Sequence, residues 1–235
     1  MNRDTHHHHL RILQQNLNKS LTAQLHLLNT VKPTEWDILL IQEPWIAFNR
    51  TRATQEWRVL YPKIYFENNT KLLRSLILVN PNIPTNQYEQ IQFNTVDVTG
   101  IIVKRENIKI IIVNVYNDRN NNDVITAVSE FLSNKFLDDF VLDDTHVIIG
   151  GDFNHHHSWW ESKDNVHLTS AKHQVRPILD LTTCFNLQMA LPPYIPTLQA
   201  FSTGNWTRPD NMWCTSHTMD LFVKCTTDLS GPLTP

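Results

Sequence analysis

The sequence has few glycines, few cysteines and no long apolar run, and each shortage excludes a class of protein. The 5 glycines among 235 residues exclude a collagen-like or low-complexity chain. The 3 cysteines are an odd number without CxxC spacing, which argues against a disulfide or zinc framework and favours reduced thiols. No apolar stretch approaches the roughly 18 residues of a membrane span, and the polar N-terminus lacks a signal-peptide pattern. We therefore expect a soluble, intracellular protein.

An excess of basic charge is also lacking. Lys and Arg number 20 against 23 Asp and Glu, so the formal net charge is −3. Nonspecific polyanion binders are usually more basic, although an enzyme can reach phosphates through a metal ion. The 41% of hydrophobic residues excludes a disordered chain. The length favours one domain over residues 10–235, after a solvated, His-containing tail at residues 1–9.

Hydrophobic periodicity predicts alternating strands and helices after this tail. The predicted strands are Leu10–Leu17, Asp37–Gln42, Ser75–Asn80, Val96–Lys104, Ile108–Tyr116, His146–Gly150 and Thr218–Val223. The predicted helices are Ser20–Val31, Asp123–Leu137 and Ser170–Phe185, and Pro177 is expected to kink or divide the last of them. This order fits two packed sheets, mixed or mostly antiparallel with helices outside, better than one doubly wound sheet.

Polar residues follow several of these strands at the point where each strand ends. If the strands lie side by side and point the same way, one sheet edge collects Asn16, Glu43, Tyr116, Asp152 and Asn154. Carboxylate and amide oxygens suit Mg²⁺ rather than zinc. A metal held there could bind a phosphate oxygen, while Asp152 orients or deprotonates a water and Tyr116 donates to the phosphate. Taken singly, each residue also has a structural interpretation as a turn residue, helix cap or surface acid.

Four motifs in order carry a family resemblance: Gln15-Asn16-Leu17-Asn18, Ile41-Gln42-Glu43-Pro44, Asn114-Val115-Tyr116 and Gly150-Gly151-Asp152-Phe153-Asn154. The sequence resembles the endonuclease/exonuclease/phosphatase superfamily. Residues 151–160 and the late Thr218-Met219-Asp220 are similar to the apurinic-endonuclease-like domain of non-LTR retrotransposons. The resemblance implies a four-layered α/β sandwich and a Mg²⁺-dependent phosphodiesterase, with Mn²⁺ as an alternative metal. It also implies an endonuclease that nicks target DNA to prime reverse transcription.

The same resemblance assigns roles to individual residues. Glu43 is expected to be the principal metal ligand, with Asn16 beside it. Asp152 is expected to align the attacking water, Asn154 to bind the phosphate and Tyr116 to lie against it. Asp220 is expected to brace a histidine. The expected partners are DNA and a reverse transcriptase domain in the native polypeptide, and we expect a monomeric, nuclear protein.

The C-terminus departs from the family pattern. The family ends with a Ser/Thr-Asp-His segment, whereas residues 228–235 here contain no Asp-His pair. This predicts a domain truncated at its C-terminus. Loss of one transition-state donor typically costs about 10²–10³ in rate. His217 lies three residues before Asp220, and in a strand this odd offset puts the two side chains on opposite faces, so His217 is a poor substitute.

Two groups of residues are candidate DNA contacts. Five basic residues cluster between two predicted strands and could grip phosphates or form a solvated loop: Arg50, Arg52, Arg58, Lys71 and Arg74. Trp206 and Arg208 lie in a polar stretch that could enter a groove or stack on a base.

Aromatic and histidine residues also follow the Asp152 motif directly. Trp159 and Trp160 are expected in the core because tryptophan buries a large area. The consecutive histidines 155–157 form a poor zinc geometry and are expected to be structural or to face DNA.

Two alternatives remain open from the sequence. One keeps the fold and the metal but changes the substrate to a phosphoinositide, sphingomyelin or nucleotide, and the His-His-His-Ser-Trp-Trp segment argues against it. The other is a catalytically inactive relic that only binds nucleic acid or a partner, which the missing terminal histidine supports. Metal-dependent turnover that Glu43→Ala abolishes would exclude this second alternative.

Overall fold

The computed structural model describes residues 9–47, 50–51, 56–67, 72–105, 108–138, 145–200 and 203–228. The helices span Leu21–Thr30 (α1), Asp123–Asp138 (α2), Lys172–Cys184 (α3) and Ser216–Met219 (α4). The first strands are Ile12–Asn16 (β1), Ile38–Gln42 (β2), Ile46–Ala47 (β3), Arg50–Thr51 (β4), Arg58–Leu60 (β5), Ser75–Val79 (β6) and Tyr88–Ile91 (β7). The later strands are Val98–Arg105 (β8), Ile108–Tyr116 (β9), Thr145–Asp152 (β10), Leu187–Met189 (β11), Leu198–Gln199 (β12), Trp206–Thr207 (β13) and Asp210–Thr215 (β14).

Two sheets dominate the fold, and both are mixed. The first has the order β1-β2-β6-β5, with β1 parallel to β2 and the other pairs antiparallel. The second has the order β11-β14-β10-β9-β8-β7, in which only β9 and β10 are parallel. Because β1 and β2 end together, as do β9 and β10, the residues that follow each pair meet at one edge.

The sheets pack face to face, with helices on both outer faces. Between the sheets, Ile38 and Ile77 of the first contact Ile101 and Ile112 of the second. On the outer face of the first sheet, Leu27 and Leu28 of α1 belong to the same buried cluster as Leu39 and Leu76. On the outer face of the second, α2 and α3 supply Val128, Leu132, Ile178 and Leu181. The predicted four-layered α/β sandwich is confirmed.

Local signals explain where the first helix begins. The Ser20 hydroxyl accepts a 3.2 Å hydrogen bond from the amide of Ala23 and caps α1. Strand β2 is fully buried, as its uninterrupted apolar run predicts, because it is covered on both faces. Pro177 was expected to kink or divide this helix; it lies inside α3, which runs from Lys172 to Cys184 and is not divided.

The C-terminal strand prediction is also wrong. Residues 218–223 do not form a strand, because α4 ends at Met219 and a turn follows. The Thr218 hydroxyl bonds the Thr215 hydroxyl at 2.7 Å and the His146 ring at 3.0 Å, which fixes this helical turn against β10. The strand of this region is β14, which begins inside the stretch that the sequence suggested as a polar loop. No helix in the described ranges is long and apolar enough to cross a membrane.

Candidate active site

The last residues of β1 and β10, one strand from each sheet, lie beside each other at one edge of the two packed sheets. Asn16 ends β1 in the first sheet and Asp152 ends β10 in the second. The Asn16 side-chain amide donates a 2.8 Å hydrogen bond from Nδ2 to Asp152 Oδ2. This bond joins the two sheets at the edge where the sequence predicted a site.

Asp152 is the most deeply buried acid of the predicted set, at 6% exposure. Its Oδ1 accepts a 2.8 Å hydrogen bond from the amide of Asn154. Burial, the charge of Asp210 and, less strongly, that of Glu43 raise the pKa of Asp152 to about 8, against the lowering effect of these hydrogen bonds. A carboxyl group with such a pKa is suited to taking up a proton near neutral pH.

Asp210 is an additional site residue that the sequence reasoning missed. It begins β14 and is paired in register with Asp152 on β10. Its carboxylate accepts hydrogen bonds from Gln14 Nε2 at 2.9 Å and Thr197 Oγ1 at 2.8 Å, and burial raises its pKa. Asp210 lies in a polar stretch that the sequence suggested as a loop, and the antiparallel direction of β14 brings its first residue to the edge where β10 ends.

A buried polar network lies beneath the two acids. Gln42 Nε2 donates to Asn114 Oδ1, and Gln14 Nε2 donates to Gln42 Oε1 at 2.6 Å. The Asn114 amide also donates to the carbonyls of Ile41 and Leu76, at 2.9 and 2.8 Å. The motif residues Gln42 and Asn114 therefore connect the sheets and support the site from below.

Glu43 follows β2 in a left-handed conformation, with φ of 44°. Its amide donates to the Arg74 carbonyl at 3.0 Å, and its carbonyl accepts from the amide of Lys19 at 2.8 Å. These bonds hold a backbone conformation that is unfavourable for a residue with a Cβ. The Glu43 side chain is 12% exposed, and its Oε1 lies 3.1 Å from Lys19 Nζ.

Tyr116 lies at the end of β9 above the guanidinium of Arg74, whose Cζ is 4.8 Å from the ring centroid. Burial and the charges of Glu43 and Asp152 raise the pKa of Tyr116 to about 12, so its hydroxyl stays protonated and can donate. Arg74 itself forms ion pairs with Asp97 and Asp118, both at 2.5 Å. This three-residue cluster fixes the Tyr116 ring.

Asn154 adopts a left-handed conformation, with φ of 54°, directly after the Asp152 turn. Its Nδ2 donates to the Asn117 carbonyl at 2.9 Å, and its Oδ1 accepts from Arg119 Nε at 3.2 Å. One hydrogen of the Asn154 amide therefore stays available for a ligand. The exposed Arg119 adds a cation beside this amide.

The donor set fits a hard divalent cation. Glu43 contributes a carboxylate at the cleft, and Asn16 Oδ1, which accepts a 2.8 Å hydrogen bond from the amide of Asn18, has a second lone pair. Mg²⁺ commonly takes one or two carboxylates and several waters. The unfavourable proximity of Glu43, Asp152 and Asp210 would be relieved by a cation. Within the described residues, no group of three or more His, Cys, Asp or Glu side chains forms a closed metal cage.

The three histidines after Asn154 have different surroundings. His155 is 2% exposed with its Nε2 unpartnered, and burial lowers its pKa. His156 Nδ1 lies 2.5 Å from Glu161 Oε2. The His157 ring packs at 5.2 Å from the Trp160 ring. The rings of His156 and His157 therefore have separate partners.

Asp220 does not join the other predicted site residues. It follows α4, which packs at the opposite end of β10, where His217 Nε2 lies 2.9 Å from the Thr145 carbonyl. From Thr145 to Asp152 the strand extends over about 20 Å. Asp220 is exposed and lies away from the site, so the prediction that it braces a histidine there is corrected. The acid that lies opposite Asp152 is Asp210.

Arg208 does not face solvent and cannot contact DNA. It is 0% exposed and donates to the carbonyls of Pro192 and Leu191 and to Asn211 Oδ1. Burial lowers its pKa to about 10. The predicted DNA contact is wrong at this position, because the guanidinium is used to satisfy buried carbonyl groups.

The remaining predicted contacts have mixed outcomes. Trp206 on β13 is 38% exposed and lines the groove that contains the site. Trp160 is buried, but Trp159 is 52% exposed, so its predicted core position is wrong. Arg52 and the Arg50 side chain lie outside the described part of the chain, as does Lys71.

The site opens into a long groove beside the edge strand β1. Glu43, Tyr116, Asp152 and Asn154 line the groove at the site, and the segment from Asp220 to Asp228 lines it elsewhere. Such a groove gives an extended polymer access to the buried carboxylates.

Comparisons with known proteins identify the family and the fold. Residues 110–228, about half of the chain, match a family model described as endonuclease-reverse transcriptase. The chain belongs to this family. This confirms the predicted resemblance to apurinic-endonuclease-like endonucleases of non-LTR retrotransposons and makes the protein a member of an endonuclease/phosphodiesterase-type hydrolase superfamily.

Two solved structures share the fold of this family member. The endonuclease domain of TRAS1, a telomere-specific non-LTR retrotransposon, is 21% identical with a TM-score of 0.64, over 90% of this chain and 88% of that chain. The AP endonuclease LMAP from Leishmania major is 10% identical with a TM-score of 0.70, over 92% of this chain and 82% of that chain. No curated protein matches the sequence.

Proposed function

We propose that the protein is a divalent-metal-dependent endonuclease that nicks DNA. The observation that supports this most directly is the convergence of Asn16, Glu43, Tyr116, Asp152 and Asp210 at one end of a groove. Membership of the endonuclease-reverse transcriptase family supports the same reaction class.

Glu43 and the Asn16 carbonyl oxygen would hold Mg²⁺ or Mn²⁺. The metal, when bound, would supply neutralisation of phosphate charge and a lowered pKa for a bound water. Asp152 is fixed on both oxygens by Asn16 and Asn154, and its remaining lone pairs can accept a proton from the attacking water.

The phosphate would be oriented by donors on the other side of Asp152. The protonated Tyr116 hydroxyl, the second Asn154 amide hydrogen and the guanidinium of Arg119 can each donate to phosphate oxygens. These groups are preorganised, because Arg74 fixes the Tyr116 ring and Asn117 fixes the Asn154 amide. Trp206 would contact the DNA beside the site, where its exposed ring could stack on a base.

The decisive experiment compares nicking of supercoiled plasmid by the wild-type chain with and without Mg²⁺. We expect nicking that EDTA abolishes, and an Asp152→Asn rate lower by about 10²–10⁴. Glu43→Gln should require much more Mg²⁺ for any activity. Asp180→Asn is the control, because Asp180 is an exposed acid paired with Arg176 on α3.

Two results would contradict the proposal. The first is nicking that persists in EDTA or in Asp152→Asn. The second is a folded wild-type chain that binds Mg²⁺ and DNA without turnover, which would favour the binding-only alternative. Turnover of a phosphoinositide or a nucleotide, but not of DNA, would favour a phosphatase of the same superfamily.

We further propose that nicking serves retrotransposition, together with a reverse transcriptase domain in the native polypeptide. The family description, which joins the two activities, supports this role. Chromosomal DNA as substrate requires a nuclear protein, and imaging of a tagged chain excluded from the nucleus would contradict this. A monomeric protein is expected, and size-exclusion chromatography with light scattering tests it.

A further inference from the structure

Lys19 places an ammonium group against the carboxylate that we propose as the metal ligand. Its Nζ lies 3.1 Å from Glu43 Oε1, and its side chain is 59% exposed while that of Glu43 is 12% exposed. Among the described residues, Lys19 is the one cation that forms an ion pair with Glu43, Asp152 or Asp210.

The backbone keeps Lys19 at the site whatever its side chain does. The Lys19 amide donates to the Glu43 carbonyl at 2.8 Å, and the next residue, Ser20, caps α1. A residue anchored on both sides cannot leave when its ion pair breaks. Its side chain, in contrast, is 59% exposed and can change rotamer.

A divalent cation and the ammonium compete for the same carboxylate. A cation bound to Glu43 would repel the Lys19 ammonium over a few ångströms, where the interaction of like charges is substantial. The other anion that enters this site is the DNA phosphodiester. A flexible lysine is a common phosphate contact because its ammonium carries three donors on a long stem.

We propose that Lys19 is a phosphate-contacting residue of the site, which neutralises Glu43 in the free protein and moves to a DNA phosphate oxygen when metal and DNA bind. This inference rests on the proposed endonuclease function and adds a substrate contact to it. Its alternative is a lysine that only restrains Glu43. The two roles differ in the sign of the effect on metal binding.

Metal affinity tests the competition between the ammonium and the cation. Isothermal titration with Mg²⁺ in the absence of DNA should give Lys19→Met a roughly two- to fivefold tighter Kd than wild type, the range of an exposed ion pair. Lys19→Arg keeps the charge and should match wild type. Lys32→Met is the matched control, since Lys32 pairs with Glu56 at the far end of α1. Weaker Mg²⁺ binding by Lys19→Met would overturn the proposal.

DNA affinity tests the phosphate contact. In an Asp152→Asn background, in which cleavage should be about 10²–10⁴ slower, binding of a labelled duplex with Mg²⁺ should weaken about tenfold in Lys19→Met. The slope of log K against log salt should fall by about 1, as for one lost phosphate contact. Lys19→Arg should restore both quantities, and Lys32→Met should change neither. An unchanged affinity and slope in Lys19→Met would overturn the proposal.

The same data separate this inference from the proposed function. If the wild-type chain binds no Mg²⁺ and neither it nor the Asp152→Asn protein binds DNA, the endonuclease proposal fails and this inference fails with it. If Mg²⁺ and DNA both bind and Lys19→Met behaves identically, only the role of Lys19 fails. Circular dichroism of each variant verifies that it is folded.

Discussion

Asp152 and Asp210 occupy paired positions on neighbouring antiparallel strands, and both carboxyl groups are buried there. The charge of Asp210 is the second-largest cause, after burial, of the pKa of about 8 for Asp152. Two acids this close resist simultaneous ionisation. The pair therefore binds either a proton or a cation readily, and this property has consequences for both stability and activity.

The metal-free protein should lose stability as the pH rises. The folded pKa of Asp152 is raised from 3.8 to about 8, so the folded state binds its proton more tightly than the unfolded state does. Its stabilising contribution is complete below pH 4 and is lost as the pH rises through about 8. The Tm measured in EDTA should fall between pH 5 and pH 8.5.

Asp152→Asn is the control for this stability prediction. The neutral amide should flatten the pH dependence and raise the Tm at pH 8 by roughly 2–4 °C for each 1 kcal/mol gained. Mg²⁺ should raise the Tm of the wild-type chain at pH 8, because a ligand of the folded state stabilises it. An identical fall of Tm with pH in both proteins would contradict the assignment to Asp152.

Asp210 should control the pH dependence of nicking, whereas Asp220 should not. Asp210→Asn removes a charge that raises the pKa of Asp152, so the rising limb of the pH–rate profile should move to lower pH. Asp220→Asn is the matched substitution at the other end of β10 and should leave the profile unchanged. Equal profiles for the two variants, measured between pH 5.5 and 9, would contradict the placement of Asp210 in the site.

The sequence predicted the site where strand ends carry polar residues. Asn16, Glu43, Tyr116 and Asp152 follow apolar runs that are recognisable from periodicity alone, and parallel pairing brings those ends together. Asp210 was not predicted because β14 begins inside a polar stretch that was interpreted as a loop, and only tertiary contacts place this strand antiparallel beside β10.

Burial of individual polar and aromatic residues was the least predictable feature. Arg208 and Trp206 are two positions apart, yet one is fully buried and the other exposed. Trp159 and Trp160 are adjacent and differ in the same way. Which of two neighbouring side chains is buried depends on the orientation of a short segment. That orientation is set by long-range packing, and local composition does not indicate it.

Arg208→Met should destabilise the fold without weakening DNA contacts directly. The substitution leaves the buried carbonyls of Leu191 and Pro192 and the Asn211 oxygen without a donor. Each unsatisfied buried group costs about 1–3 kcal/mol, so we expect a loss of about 3 kcal/mol in urea unfolding. Residual DNA affinity per folded molecule should equal that of wild type. A stable variant with selectively weakened DNA binding would instead support the solvent-facing role.

Gly151 should be irreplaceable, whereas Gly150 should tolerate alanine. Gly151 has φ of 145°, and an added Cβ would lie 2.0 Å from the Val115 carbonyl oxygen on the neighbouring strand. The backbone of β9 cannot move away without breaking the parallel pairing that aligns Tyr116 with Asp152. A Cβ on Gly150 would instead meet the flexible Met212 side chain at 2.8 Å.

Urea unfolding should give a loss in the free energy of unfolding of several kcal/mol for Gly151→Ala and about 1–3 kcal/mol for Gly150→Ala. Equal losses would mean that the close approach of β9 and β10 does not determine the position of Asp152.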